Sequence, residues 1–248
     1  MKKTVSLVMA AIVLVIVSNA QSVNDGIKFI NYQKTKSAVD VFSKNYNSNS
    51  KDPEAIYWYG QALIANDDYV AAKAVYQKAL QDGVNDPWIW IGAGHVEMLQ
   101  GGDLNSAKQK FEQAITATTG TKGKNKGKAD PAILTAIGRA NADGGSKFGD
   151  PNYGIEKLRL AGELDKTSSN IYIYMGICYR KLGGEMGGEA VKAFNEAGIR
   201  NPKNPVGFHQ IGQIYSSQNN VELMNEFFGK AIVADIDYPP VYLDWFRY

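Results

Sequence analysis

Residues 172–202 read YIYMGICYRKLGGEMGGEAVKAFNEAGIRNP, and the spacing of their apolar and small residues decides the fold. Tyr172, Met175 and Tyr179 fall at i, i+3 and i+7, so on a helix they share one face. Gly176 lies on that stripe without a side chain, which lets a second helix approach closely. After a glycine-rich turn, Ala190, Phe194 and Ala197 form a small-large-small series into which the first helix can interdigitate. Pro202 stops that second helix. The stretch reads as a helical hairpin carrying its own packing code.

The order Tyr-x2-Met-Gly-x2-Tyr, Ala-x3-Phe, Pro resembles the tetratricopeptide repeat, W-x2-L-G-x2-Y, then A-x3-F, then P. The resemblance implies an all-α protein, a right-handed α-solenoid (superhelix) of tetratricopeptide helix-turn-helix repeats with a concave binding groove. The place of Gly176 is taken elsewhere by Gly26, Gly60, His95, Gly138 and Gly212, with Phe246 as a seventh candidate. Successive spacings are 34, 35, 43, 38, 36 and 34 residues, close to the family period of about 34 wherever no insertion is visible. Repeats are expected over 21–52, 53–86, 87–120, 131–168, 169–204 and 205–238, with a partial seventh over 239–248. In the first, Asp25 takes the place of the leucine beside Gly26, but Phe29, Ala38 and Phe42 fit. In the fourth, the two helices are separated by an expected long loop, Asp143 to Asn152, rich in glycine.

The seventh repeat would have only its first helix, opened by Pro239 and Pro240 and carrying Tyr242, Trp245 and Phe246. A solenoid ordinarily closes on a polar capping helix, so this apolar end reads as the N-terminal portion of a longer protein, or as a face covered by a partner or a second copy.

Met1 to Ala20 reads as a secretory signal: Lys2 and Lys3, an apolar run from Thr4 to Val17, then Ser18, Asn19 and Ala20 as a small-x-small cleavage site. The run is too short and wrongly flanked for a membrane span. The 27 Lys and Arg lose Lys2 and Lys3 with the leader, leaving 25 against 25 Asp and Glu. A neutral chain carries no electrostatic footprint for nucleic acid. The expected location is therefore exported, periplasmic or outer-membrane-associated, with no membrane span after signal cleavage. Cys178 is the only cysteine, so no internal disulfide can form.

Soft metal ligands are confined to His95, His209 and Cys178; the two histidines lie three repeats apart and cannot share an ion. Cys178 follows Gly176 on an apolar helix and reads as buried packing. No catalytic, cofactor or metal site is expected. Lys122, Lys124, Lys126 and Lys128 alternate with Gly123, Asn125 and Gly127, giving an extended, solvated linker over 121–130, or a docking arm for an acidic partner. Gly144, Gly145, Ser146 and Lys147 lack the spacing of a phosphate-binding loop.

What remains is the groove. Family positions carried over by the resemblance give Tyr57 and Gln61, Gly92 and Val96, Thr135 and Arg139, Ile173 and Ile177, and His209 and Gln213, with Arg180 one turn beyond. This mixture of aromatic, amide, aliphatic and cationic groups suits an extended peptide. The lysine and asparagine set that clamps a C-terminal carboxylate in some family members is missing from these positions. The expected function is a non-catalytic exported scaffold that binds a protein or peptide partner and helps assemble an envelope complex, with outer-membrane or cell-wall association. Two alternatives stand: the interaction half of a longer protein with an enzymatic or cell-wall-binding domain, or a glycan or small-ligand binder using Trp58, Trp88 and Trp90 as stacking platforms.

Overall fold

The computed structural model describes residues 23–123 and 126–248, and the named elements among them are all helical. The expected leader over 1–20, and Lys124 and Asn125 of the linker, lie outside the described residues. The chain divides between Val84 and Asn85 into two compact bodies.

The first body holds α1 (23–31), α2 (Thr35–Ser48), α3 (Pro53–Ala65) and α4 (Tyr69–Gln81). The second holds α5 (Pro87–Leu99), α6 (Leu104–Thr118), α7 (Pro131–Phe148), α8 (Pro151–Leu164), α9 (Ser169–Leu182), α10 (Gly187–Arg200), α11 (Pro205–Ser217), α12 (Val221–Ala234) and α13 (Pro239–Arg247). A 3₁₀ turn, Gly184–Met186, joins α9 to α10. Each first helix packs on its own second helix: α3 on α4, α5 on α6, α7 on α8, α9 on α10, α11 on α12.

Helix starts are chemically marked. Asp52, Asp86, Asp130 and Asn204 each precede a proline, and their side-chain oxygens accept from the N–H groups of Glu54 (3.0 Å), Trp88 (2.9 Å), Ala132 (2.8 Å) and Val206 (3.1 Å). The cap satisfies an otherwise orphaned donor, and the proline supplies a helical φ where its missing N–H costs nothing.

Pairing within a repeat is set by a glycine facing a large side chain. A β-carbon added to Gly176 would lie 2.5 Å from the Phe194 ring, and one added to Gly26, Gly60, Gly138 or Gly212 would fall closer than 3.0 Å to Phe42, Tyr76, Leu158 or Phe228. Each large partner is essentially without solvent contact. In the third repeat the glycine position belongs to Gly94 and not to the expected His95: a β-carbon on Gly94 would lie 2.9 Å from the Phe111 ring, and Gly94 follows the helix-opening Pro87 at the same interval as Gly60 follows Pro53. His95, the next residue along the helix, is itself buried, 1% exposed.

Three expectations are corrected here. The long loop from Asp143 to Asn152 is largely helix: α7 continues to Phe148, and only Gly149 and Asp150 separate it from α8. The glycines produce a break inside the helix instead of a loop, because Gly145 adopts φ 56° and ψ −156°, a conformation closed to residues with a β-carbon. Asn141 then ties the corner, its Oδ1 accepting from the N–H of Asp150 at 2.9 Å.

The lysine-glycine segment is not extended. Gly120 N–H donates to the Lys128 carbonyl (3.0 Å) and Gly127 N–H donates back to Gly120 (2.8 Å), closing a loop that presents Lys122, Lys126 and Lys128 to solvent. Finally, α13 exists, but Phe246 does not occupy the glycine position. It is 93% exposed, and the helix is seated by Pro240 and Val241 instead. Tyr242, Leu243, Trp245 and Tyr248 are also substantially exposed, so the apolar character expected of this end is present on its surface.

Candidate functional site

In the second body the first helices lie side by side, α5 against α7 and α7 against α9, with α13 against α11. Their shared face carries two polar clusters.

The first joins α5, α7 and α9. Arg139 and Asp143 are one turn apart on α7, and the Arg139 Nε stands 3.6 Å from Asp143 Oδ2. The same oxygen lies 3.5 Å from His95 Nε2. The Arg139 guanidinium sits 6.0 Å from the centre of the Tyr174 ring on α9, within reach of a cation–π attraction. Among the described residues, His95 Nε2 makes no hydrogen bond, although it is shielded from solvent. Burial and the nearby Arg139 charge push the His95 pKa down to about 3, so the ring is neutral at pH 7. Asp143 keeps 36% of its side chain exposed, yet burial raises its pKa against the pull of Arg139 and Lys181.

The second cluster joins α9, α11 and α13. Arg180 Nη1 donates to Gln213 Oε1 at 2.9 Å and also to Gln210 Oε1. Gln213 Nε2 donates to Asp244 Oδ2 at 2.6 Å, and His209 Nε2 lies 2.9 Å from that oxygen. A carboxylate can only accept, so His209 carries its proton on Nε2 and its Nδ1 accepts from the Tyr238 hydroxyl at 3.1 Å. Burial lowers the His209 pKa, partly offset by Asp244. Replacing Asp244 with alanine leaves the buried His209 Nε2–H and the Gln213 amide without their acceptor, a loss of about 1–3 kcal/mol. The expected readout is faster amide hydrogen exchange across α13, with α9 and α10 unchanged.

The expected groove residues therefore divide. Arg180, Gln213 and His209 meet in one network, and Arg139 is central to the other. Accessibility requires correction: Tyr57 (2%), Gln61 (0%), Arg139 (7%), Ile173 (5%) and His209 (1%) are buried, as are Gly92 and Val96. The cause is packing between helices, with Gln61 bonded through its amide nitrogen while its Oε1 has no hydrogen-bond partner among the described residues. Gln61 Nε2 donates to the Tyr76 hydroxyl (3.0 Å), which itself donates to the Tyr57 carbonyl (2.9 Å), and Ile173 lies where α9 packs against its neighbours. Thr135 is half-buried and donates to the Pro131 carbonyl at 2.7 Å. Ile177 packs against the core, and Arg180 stands exposed.

Sequence reasoning missed Asp143, Tyr174 and Asp244. Asp143 was legible as the i+4 partner of Arg139; Tyr174 and Asp244 depend on which helix lies alongside, which no local spacing reveals. Cys178 is buried, its thiol pushed up to about 12 by burial and by Asp143 and Asp150. Among the described residues no group of three or more His, Cys, Asp or Glu could hold a metal ion, and no helix is long and apolar enough to cross a membrane.

Stacked helix pairs with polar clusters on their first-helix face define an α-helical repeat fold. Residues 53–96 match the profile described as tetratricopeptide repeat. Among solved structures it is similar to the human IFIT1 dimer with PPP-AAAA, at 15% identity and a TM-score of 0.55, covering 81% of this chain and 46% of that one. It is also similar to the APC/C hetero-tetramer Cut9-Hcn1, at 16% identity and a TM-score of 0.52, covering 90% of this chain and 41% of that one. A third similar structure is YrrB, a TPR protein with an unusual peptide-binding site, at 23% identity and a TM-score of 0.46, covering 82% and 96%. The chain thus spans less than half the length of the first two. No curated protein sequence matches it.

Proposed function

We propose that this chain is a non-catalytic scaffold whose α7–α9–α11 face holds an acidic peptide segment of a partner protein. The observation that carries this reading is the pair of exposed cations, Arg180 and Lys181, at the end of α9 beside the second network. Asp143 is already engaged by Arg139, and Asp244 by His209 and Gln213. Arg180 gives hydrogen bonds to two neutral amides, those of Gln210 and Gln213, and burial depresses its pKa against the pull of the Asp244 carboxylate. Lys181 beside it is exposed. A guanidinium whose hydrogen bonds go to neutral amides gains from an arriving anion. The leader over residues 1–20 supports an exported working place, where the scaffold would help assemble an envelope complex.

The test is crosslinking in intact cells followed by mass spectrometry, with an Arg180→Glu and Lys181→Glu double variant alongside. Both side chains are exposed, so the fold is expected to survive, with helical circular dichroism unchanged. The partner captured by the wild type is expected to disappear and to carry an acidic segment at the crosslink. An undiminished yield from the double variant would sink the reading. Arg139 is unsuitable for this test because its buried ion pair would be broken together with any ligand contact.

A further inference from the structure

The first body contains a cavity of about 420 Å³ between α1, α2 and α3, lined by Asn24, Asn45, Ser48, Asn49, Asp52 and Trp58 among others. Its volume lies in the range of small-molecule sites, roughly 300–1,000 Å³. The lining is chemically one-sided. Three carboxamides and a hydroxyl surround one indole, Asp52 and Glu54 add carboxylates, and among the described residues neither lysine nor arginine contributes. That composition gives an anion nothing to pair with, and it offers little to a purely apolar ligand. Each carboxamide presents two donors and an acceptor in one plane, the arrangement that matches adjacent hydroxyls of a sugar ring.

The platform is built as well as exposed. Trp58 is half-buried and lies nearly parallel to Phe42, with ring centres 5.8 Å apart and an interplanar angle of 13°. Tyr57 packs edge-on against it at 5.3 Å. An indole held in this way presents a fixed apolar surface at no further entropic cost, against which the C–H face of a pyranose can lie. Asp52 is held in place as well, because its Oδ1 caps α3 by accepting from the Glu54 N–H.

We infer that this cavity is a carbohydrate site that takes a neutral mono- or disaccharide, with Trp58 as the stacking surface and Asn45 and Asn49 as hydroxyl-reading amides. It rests on residues of the first body alone and stands or falls independently of the acidic-peptide reading.

The experiment uses the full mature chain and its four tryptophans, each of which gives one indole N–H signal in a proton–nitrogen correlation spectrum. Trp58→Phe identifies the signal of interest. Cellobiose, maltose and N,N′-diacetylchitobiose are titrated separately, with lysyl-lysine as a cationic control. At least one disaccharide is expected to shift the Trp58 signal saturably with a dissociation constant on the order of 1 mM, leaving Trp88, Trp90 and Trp245 in place. The Asn45→Ala and Asn49→Ala double variant should weaken that titration by about tenfold. Asn49→Ala alone, at an exposed position, keeps the test valid if the double variant folds poorly, and should weaken it by a few-fold. The inference is overturned if no disaccharide moves the Trp58 signal, if the movement is confined to the other indoles, or if lysyl-lysine moves it more strongly than any sugar.

Discussion

Phe194→Ala is expected to lower the unfolding free energy by about 3–5 kcal/mol, the range for truncating a buried phenylalanine. Phe194 has no solvent exposure and belongs to the largest cluster of the second body, together with Met175, Tyr179, Ala190 and Ile211. Its ring fills the space above Gly176, so its loss opens a cavity directly between α9 and α10. The sharper form of the test is a double-mutant cycle. In the wild-type background Gly176→Ala drives a methyl to 2.5 Å from the ring, an overpacking worth about 1–3 kcal/mol. In the Phe194→Ala background that methyl has room, and alanine exceeds glycine in helix propensity by about 1 kcal/mol. The same substitution is therefore expected to change sign from harmful to helpful. Urea denaturation of the four proteins, followed by circular dichroism, measures the coupling. Additive effects would show that the ring and the glycine are not in contact.

Acidification is the second large lever. The ordinary pKa of His95 is 6.5, and burial beside Arg139 pushes it down to about 3 in the folded chain. The unfolded chain therefore binds a proton near pH 6.5 that the folded chain refuses until about pH 3. Stability is fully present above pH 6.5 and is lost as the pH falls through that window. The slope is at most about 1.4 kcal/mol per pH unit, and the loss by pH 4 is about 3 kcal/mol. His209, the other histidine, is depressed by burial and adds in the same direction. Glu112 and Asp150, whose pKa values are lowered chiefly by bonds to Lys157 and Lys108 that outweigh burial, lose their contribution below the ordinary carboxylate range. The raised pKa of Asp143 opposes this trend in that lower range. Melting temperatures taken between pH 7.5 and 4.5 are expected to fall in the wild type and to fall less steeply in His95→Leu, which keeps the His209 contribution. An equally steep fall in the variant would show that His95 is protonated in the folded state.

The parts of this fold that were legible in the sequence are those whose cause is local. Gly60 and Tyr76, or Gly212 and Phe228, sit on adjacent helices of one hairpin, so their contact is fixed by a short interval of chain. Asp86–Pro87 and Asn204–Pro205 mark helix starts by side-chain geometry that needs no tertiary context. The face built from several repeats was less legible. Position alone makes Tyr57, Ile173 and His209 groove-lining, but whether such a residue meets a ligand depends on the bulk of the neighbouring helices. The first two pack inward, and His209 is covered by Tyr238 and Asp244 of the following segment. The break at Gly145 was hidden for a related reason. A run of glycines signals irregular backbone, yet the bond from Gly149 N–H to the Gly145 carbonyl (2.9 Å) and the tie from Asn141 let the helix resume after one residue.

The glycine-to-ring contacts have a consequence for the history of the chain. Where the space between two helices of a repeat is shared by a missing side chain and a large one, neither position is free to drift alone. A substitution that enlarges Gly26, Gly60, Gly138, Gly176 or Gly212 can persist only beside a smaller Phe42, Tyr76, Leu158, Phe194 or Phe228. In an alignment of descendants, each pair should therefore covary across an interval of 16 to 20 residues. The third repeat belongs to the same set, with Gly94 beside the Phe111 ring.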